Sequence, residues 1–140
     1  MLQRVLFTIS LALCVAASPV AQDRVLVGSW KAVTYEINGV AYPMRGLFIF
    51  TKNYYSANIR FKMGNGPVDN ANGNAGPYTR DGSRIVFMQW VQIHVRPDDK
   101  NEPVVSREGP DEAADYRVEG DRLTLIFPSG NRYILERVAE

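Results

Sequence analysis

Downstream of Ala21 the chain alternates apolar and polar positions with a period of two, in runs too short and too rich in β-branched and aromatic residues for helices. The runs fall at 26–37, 46–51, 54–62, 76–80, 84–96, 114–118, 123–127 and 132–138. Between them stand residues that tolerate the backbone angles of tight turns: Asn38-Gly39, Lys52-Asn53, Asp81-Gly82, Glu119-Gly120-Asp121 and Ser129-Gly130-Asn131. Eight strands with short turns predict an all-β fold, an antiparallel up-and-down eight-stranded β-barrel.

The connection lengths separate the ends of that barrel. The turns at 52–53, 81–82 and 119–121 share one end, and all are short. The longer connections 38–45, 63–77 and 97–112 gather at the other, with the short turn 128–131. Gly28-Ser29-Trp30 lies where the first strand leaves the short-turn end, and the last strand delivers Arg137 to the same end. A glycine lets the backbone pass close beneath, the indole plugs the floor, and the guanidinium can lie across the ring. Residues 78–87 can be laid over 116–125 without a gap, so Ile85 and Phe87 are expected to face the same side as Leu123 and Leu125.

Strand alternation starting from an inward Trp30 predicts the lining of the upper barrel. Thr34 and Glu36 come from the first strand, Tyr55, Ala57, Ile59 and Phe61 from the third, Tyr78 from the fourth, and Phe87, Gln89, Val91 and Ile93 from the fifth. Tyr116, Phe127 and Tyr133 complete the wall. This aromatic cup with a few polar groups has the make-up of a small-molecule pocket, and in a narrow barrel the same side chains fill the interior and leave no cavity. The same alternation turns Val33, Tyr35, Val86, Met88 and Trp90 outward as apolar stripes, from which a homodimer is expected.

Composition narrows the function classes. Arg4 followed by an apolar stretch over 5–17, with small residues at Ala16, Ala17 and Ala21, reads as a signal peptide within 1–21, cut after 17 or after 21. The remaining 22–140 form one domain, expected in a secreted or periplasmic location. Cys14 is the only cysteine; it follows Leu13 where a lipidation box has a small residue, which makes lipid anchoring the minor alternative. After removal of the signal the charges balance, since Arg4 accounts for the excess of Lys+Arg 16 over Asp+Glu 15, so nothing points to nucleic acid. No later apolar run is long enough for a membrane-spanning helix.

Candidate chemistry is sparse, and neither a metal nor another cofactor is expected. Glu36, if buried, would have a raised pKa and with neighbouring tyrosines could serve a cofactor-free isomerase or cyclase. His94 is the sole histidine; with Asp98, Asp99 and Glu102 it reads as solvated loop chemistry rather than a metal site. The stretch 69–74 reads as flexible turn chemistry or a lid, because Ala71 and Gly73 stand where a calcium loop places ligands.

Three segments carry a resemblance: 26–36 with its Gly28-x-Trp30, then Gly46-Leu47-Phe48-Ile49-Phe50-Thr51 with Tyr54-Tyr55-Ser56-Ala57, and Tyr133-Ile134-Leu135-Glu136-Arg137 at the end. In this order and spacing they resemble a bacterial lipocalin-like domain. The resemblance implies a barrel whose cup takes a small hydrophobic molecule. The alternatives are an interaction module with a filled barrel, and the Glu36 enzyme.

Overall fold

The computed structural model describes residues 25–65, 69–98, 100, 102–106 and 109–139. The segment read as a signal peptide, both expected cut sites, Cys14 and Asp99 lie outside the described residues. Ten strands are present among them: β1 (Gly28–Ile37), β2 (Val40–Phe50), β3 (Tyr54–Phe61), β4 (Asn70–Asp81), β5 (Arg84–Phe87), β6 (Val91–Pro97), β7 (Pro103–Ser106), β8 (Glu112–Glu119), β9 (Arg122–Ile126) and β10 (Arg132–Arg137). All pairings are antiparallel, and the β3–β4 pairing closes β1, β2, β3, β4, β5, β8, β9 and β10 into an eight-stranded barrel.

The floor follows from three residues that meet there. The Arg137 guanidinium lies 4.1 Å from the centroid of the Trp30 ring. The indole N–H donates to the Leu26 carbonyl at 2.9 Å, while Arg137 donates to the Val27 carbonyl at 3.3 Å and to that of Val25. Gly28 has a φ of 136°, which favours glycine, and a Cβ on it would stand 3.0 Å from an Arg137 nitrogen and crowd the guanidinium off the indole. Above this plate Leu26, Phe50, Ile85, Leu123, Leu125 and Leu135 are fully buried.

Three expectations are corrected towards the rim. The 38–45 connection is a two-residue turn: Asn38 and Gly39 both take positive φ, and β2 starts at Val40. The stretch 70–75 is strand, not a lid, because β4 is held along one edge by β3 and along the other by β6. Pairing on both sides overrides the poor strand preference of Asn, Gly and Ala. The single strand expected over 84–96 is broken at 88–90 into β5 and β6, and β6 forms an unforeseen hairpin with β7.

Each of two irregularities reverses the facing of the strand beyond it. In β1 the register shifts between Ala32 and Thr34, so Trp30 and Ala32 are buried but Tyr35 and Ile37, not Thr34 and Glu36, then pack on the core. At the β5–β6 break the Met88 N–H donates to the Pro77 carbonyl at 3.0 Å, and the Met88 carbonyl accepts from Trp90. That carbonyl sits so close to Gly76 that a Cβ there would come within 1.8 Å of it. Beyond the break Gln92 and His94 stand opposite Asn74 and Asn72, on the interior side, while Val91 and Ile93 are exposed.

Candidate functional site

Aromatic side chains fill the middle of the barrel. Tyr35 stands edge-on to Phe61 and Tyr133 at 4.8 and 4.7 Å, and Phe127 meets Tyr133 at 4.8 Å. Tyr55 packs on Phe87 at 4.6 Å, and Phe50 on Tyr78 at 5.6 Å. Among them a hollow of about 20 Å³ remains, bordered by Phe48, Tyr55, Ala57, Ile59, Asn74, Phe87, Glu112, Leu125, Phe127 and Tyr133. That volume holds about one water molecule, far below the ~300 Å³ of a drug-sized site.

Polar groups converge on this hollow. The Tyr55 hydroxyl and the Asn74 side-chain carbonyl oxygen are both buried without a hydrogen-bond partner. Glu112, the first residue of β8, stands on the side of the strand that buries Ala114 and Tyr116 and borders the hollow, but as a residue it is exposed at the barrel's opening. Partial burial raises its pKa above the usual value. The Tyr55 hydroxyl is pushed up to about 12, first by burial and then by Glu112 and Asp111. Tyr133 is raised by burial, by Tyr35 and by Glu112, against a hydrogen bond with Asn72 that lowers it. Tyr35 is also raised by burial, against a 3.4 Å hydrogen bond received from Asn131. All three tyrosines are therefore neutral donors at physiological pH, around a carboxyl whose proton is held more tightly than in water.

The wall beside Glu112 is not continuous. β8 pairs with β5 only as far as Glu112 opposite Phe87; beyond the break, the strand edges of β6 are taken by β4 and β7. Gln89 and Gln92 lie along this margin, each with a buried side-chain oxygen lacking a partner. The Gln89 N–H reaches Asp111 at 3.4 Å.

The residues expected from alternation distribute as follows. Tyr55, Ile59, Phe87, Phe127 and Tyr133 border the hollow. Phe61, Tyr78 and Tyr116 are buried elsewhere in the interior, and the Tyr78 hydroxyl points to the floor, donating to the Thr51 carbonyl at 2.6 Å. Gln89 is at the margin. Thr34, Glu36, Val91 and Ile93 are corrections: the first two are turned away by the β1 bulge, the others by the break after Phe87. Glu36 stands opposite Arg132 and does not border the hollow. His94 faces the side of Asn72 rather than outward, its pKa lowered by burial and by Arg96.

Glu112 and Asn74 were not singled out from the sequence. Both lie in stretches read as loops. The alternation of Ala114, Tyr116 and Val118, carried two residues back, would have placed Glu112 inward. Asn74 carried no comparable signal, since its strand is recognisable only by its neighbours. No family model matches the chain, and no curated protein or solved structure matches it.

Proposed function

We propose that this chain is an exported lipocalin-like barrel that binds a small, mainly apolar molecule bearing one polar group. The ligand's polar group would meet Tyr55, Asn74 and Glu112, and its apolar part would lie against Phe48, Phe87, Phe127 and Tyr133. The observation that carries this reading is the pair of unpartnered buried atoms, the Tyr55 hydroxyl and Asn74 oxygen, at the hollow beside Glu112. Leaving such groups unpaired costs about 1–3 kcal/mol each, and a ligand or water that satisfies them recovers this. Entry would use the discontinuous wall between β6 and β8, with the rings of Phe127 and Tyr133 turning aside to enlarge the hollow.

Titration with an environment-sensitive apolar dye tests it. Binding in the micromolar range is expected, weakened about fivefold or more by Phe127→Ala and by Tyr55→Phe, and unchanged by Ile93→Ser on the outer wall. Dye binding indifferent to both interior changes would refute the reading. The small hollow favours a second one, a filled barrel acting as an interaction module through its outside. Native mass spectrometry separates the two: a co-purified small molecule supports the first, and its absence together with failure of dye binding supports the second.

A further inference from the structure

The outer face of one half of the barrel is both apolar and cationic. Cross-strand register lays its residues in rows: Arg45, Arg60, Ala71, Val95 and Val105; then Leu47, Asn58, Gly73 and Ile93; then Ile49, Ser56, Ala75 and Val91. A fourth row ends in Tyr54 and Trp90, whose rings lie 5.9 Å apart. At about 7 Å per two residues the rows span roughly 20 Å along the strands. Trp90 is 70% exposed and Val91 55%, with Tyr54, Leu47, Ile49, Ile93 and Val105 all exposed beside them. Isolated exposed apolar residues are ordinary, but this contiguous set is not.

Small residues of β4 hollow the middle of this face. A shallow trough of about 440 Å³ runs over Ala71 and Gly73, between Ile93 and Val95 on one side and Asn58 on the other, with Arg45 and Arg60 at its end. β2, β3, β4, β6 and β7 contain Arg45, Arg60, Arg80 and Arg96 against one carboxylate, Asp81 at the floor end of β4, whereas β8 contains Glu112, Asp115 and Glu119 against Arg117. Lys62 adds a further cation next to Arg45 and Arg60, and Asp69 is the one carboxylate lining the cleft they share. Asp98 and Glu102 sit apart at the tip of the β6–β7 hairpin, where Asp98 accepts from the backbone of Lys100 and Glu102.

We propose that this face docks on an anionic lipid bilayer. Arg45, Arg60 and Lys62 would meet lipid phosphates, the aliphatic rows would enter the headgroup–acyl boundary, and Trp90 and Tyr54 would lie at the interfacial level that such rings favour. Charge decides between a bilayer and a second copy of the chain. An isologous contact sets this face against itself; its cross-strand rows hold no carboxylate, and Asp69 alone stands beside the three cations, too few to receive Arg45, Arg60 and Lys62. Desolvated, unpaired guanidinium groups disfavour that pairing, whereas anionic headgroups satisfy them.

Trp90 supplies the readout, because the only other tryptophan, Trp30, is 0% exposed in the floor. Vesicles of phosphatidylglycerol and phosphatidylcholine should sediment with the protein and shift its tryptophan emission to the blue, while pure phosphatidylcholine vesicles bind at least tenfold less. Arg45→Gln with Arg60→Gln should weaken binding about tenfold, and Val91→Ser with Ile93→Ser should abolish the shift. Circular dichroism and melting curves close to the parent's would show that these outward changes leave the barrel folded. Absence of binding by the parent, or equal binding to neutral vesicles, overturns the proposal. So does a concentration-dependent dimer in sedimentation that removes Trp90 from solvent without lipid, which would assign the face to a second copy.

Discussion

The floor and the rim of this barrel are built from the same strands and differ in how their polar groups are settled. At the floor, Trp30 and Arg137 stack, their N–H groups reach the carbonyls of Leu26, Val27 and Val25, Asp121 stands 3.8 Å from the guanidinium, and Leu26, Phe50, Ile85, Leu123, Leu125 and Leu135 are fully buried. From the middle of the barrel towards the rim, one strand bulges, another breaks, Tyr55 and Asn74 keep buried oxygens without partners at the hollow beside Glu112, and Gln89 and Gln92 do so along the margin. The contrast teaches a division of labour. Stability comes from the satisfied end, which leaves the other able to hold groups that a partner molecule could complete.

The largest effect expected from disturbing this contrast is at the plug. Trp30→Ala removes a fully buried indole and its hydrogen bond, and should lower unfolding stability by about 3–5 kcal/mol in denaturant titration. A loss under about 1 kcal/mol would mean the floor does not carry the fold. Next is the rim break. Gly76→Val sets a side chain against the Met88 carbonyl, and should cost about 1–3 kcal/mol while disturbing dye binding as well. Normal stability with normal dye binding would show that the β5–β6 irregularity is unconnected with the site.

Arg137→Ala probes the floor more gently. Loss of its contact with the indole should destabilise by about 0.5–2 kcal/mol, and more than Arg132→Ala at the opposite end of β10. Equal melting temperatures for the two would remove the guanidinium's special role. The smallest effect belongs to Glu112. Partial burial raises its pKa in the fold above the ordinary carboxylate value, so the folded state holds the proton more tightly than the unfolded chain. That contribution is fully present below pH 4.5 and is lost as pH rises through the raised value. Glu112→Gln should therefore flatten the decline of stability between the ordinary carboxylate value and the raised one, and leave the variant slightly more stable at pH 7. A variant whose pH profile matches the parent's would place the carboxyl in water.

Much of the fold was legible because it depends on local signals. Period-two alternation marks β1, β3, β8, β9 and β10, and the turns at 52–53, 81–82 and 119–121 carry their own residue chemistry. The meeting of Trp30 and Arg137 needs only the strand count and antiparallel order. The site was less legible. Tyr55, Ile59, Phe87, Phe127 and Tyr133 were reachable by alternation, but Glu112 and Asn74 lie in stretches whose strand character comes from pairing.

By itself the sequence determined an all-β barrel sealed at one end, since alternation and turn residues act within a few positions of the chain. Tertiary structure alone decided which residues face the interior beyond Ala32 and beyond Phe87. One extra residue in a strand reverses every later side chain, and whether it is accommodated depends on neighbours distant in sequence, as when Gly76 lets the Met88 carbonyl approach. The volume of the interior was decided there too, because it depends on how Tyr35, Phe61, Phe127 and Tyr133 interlock, and no one-dimensional pattern records that packing.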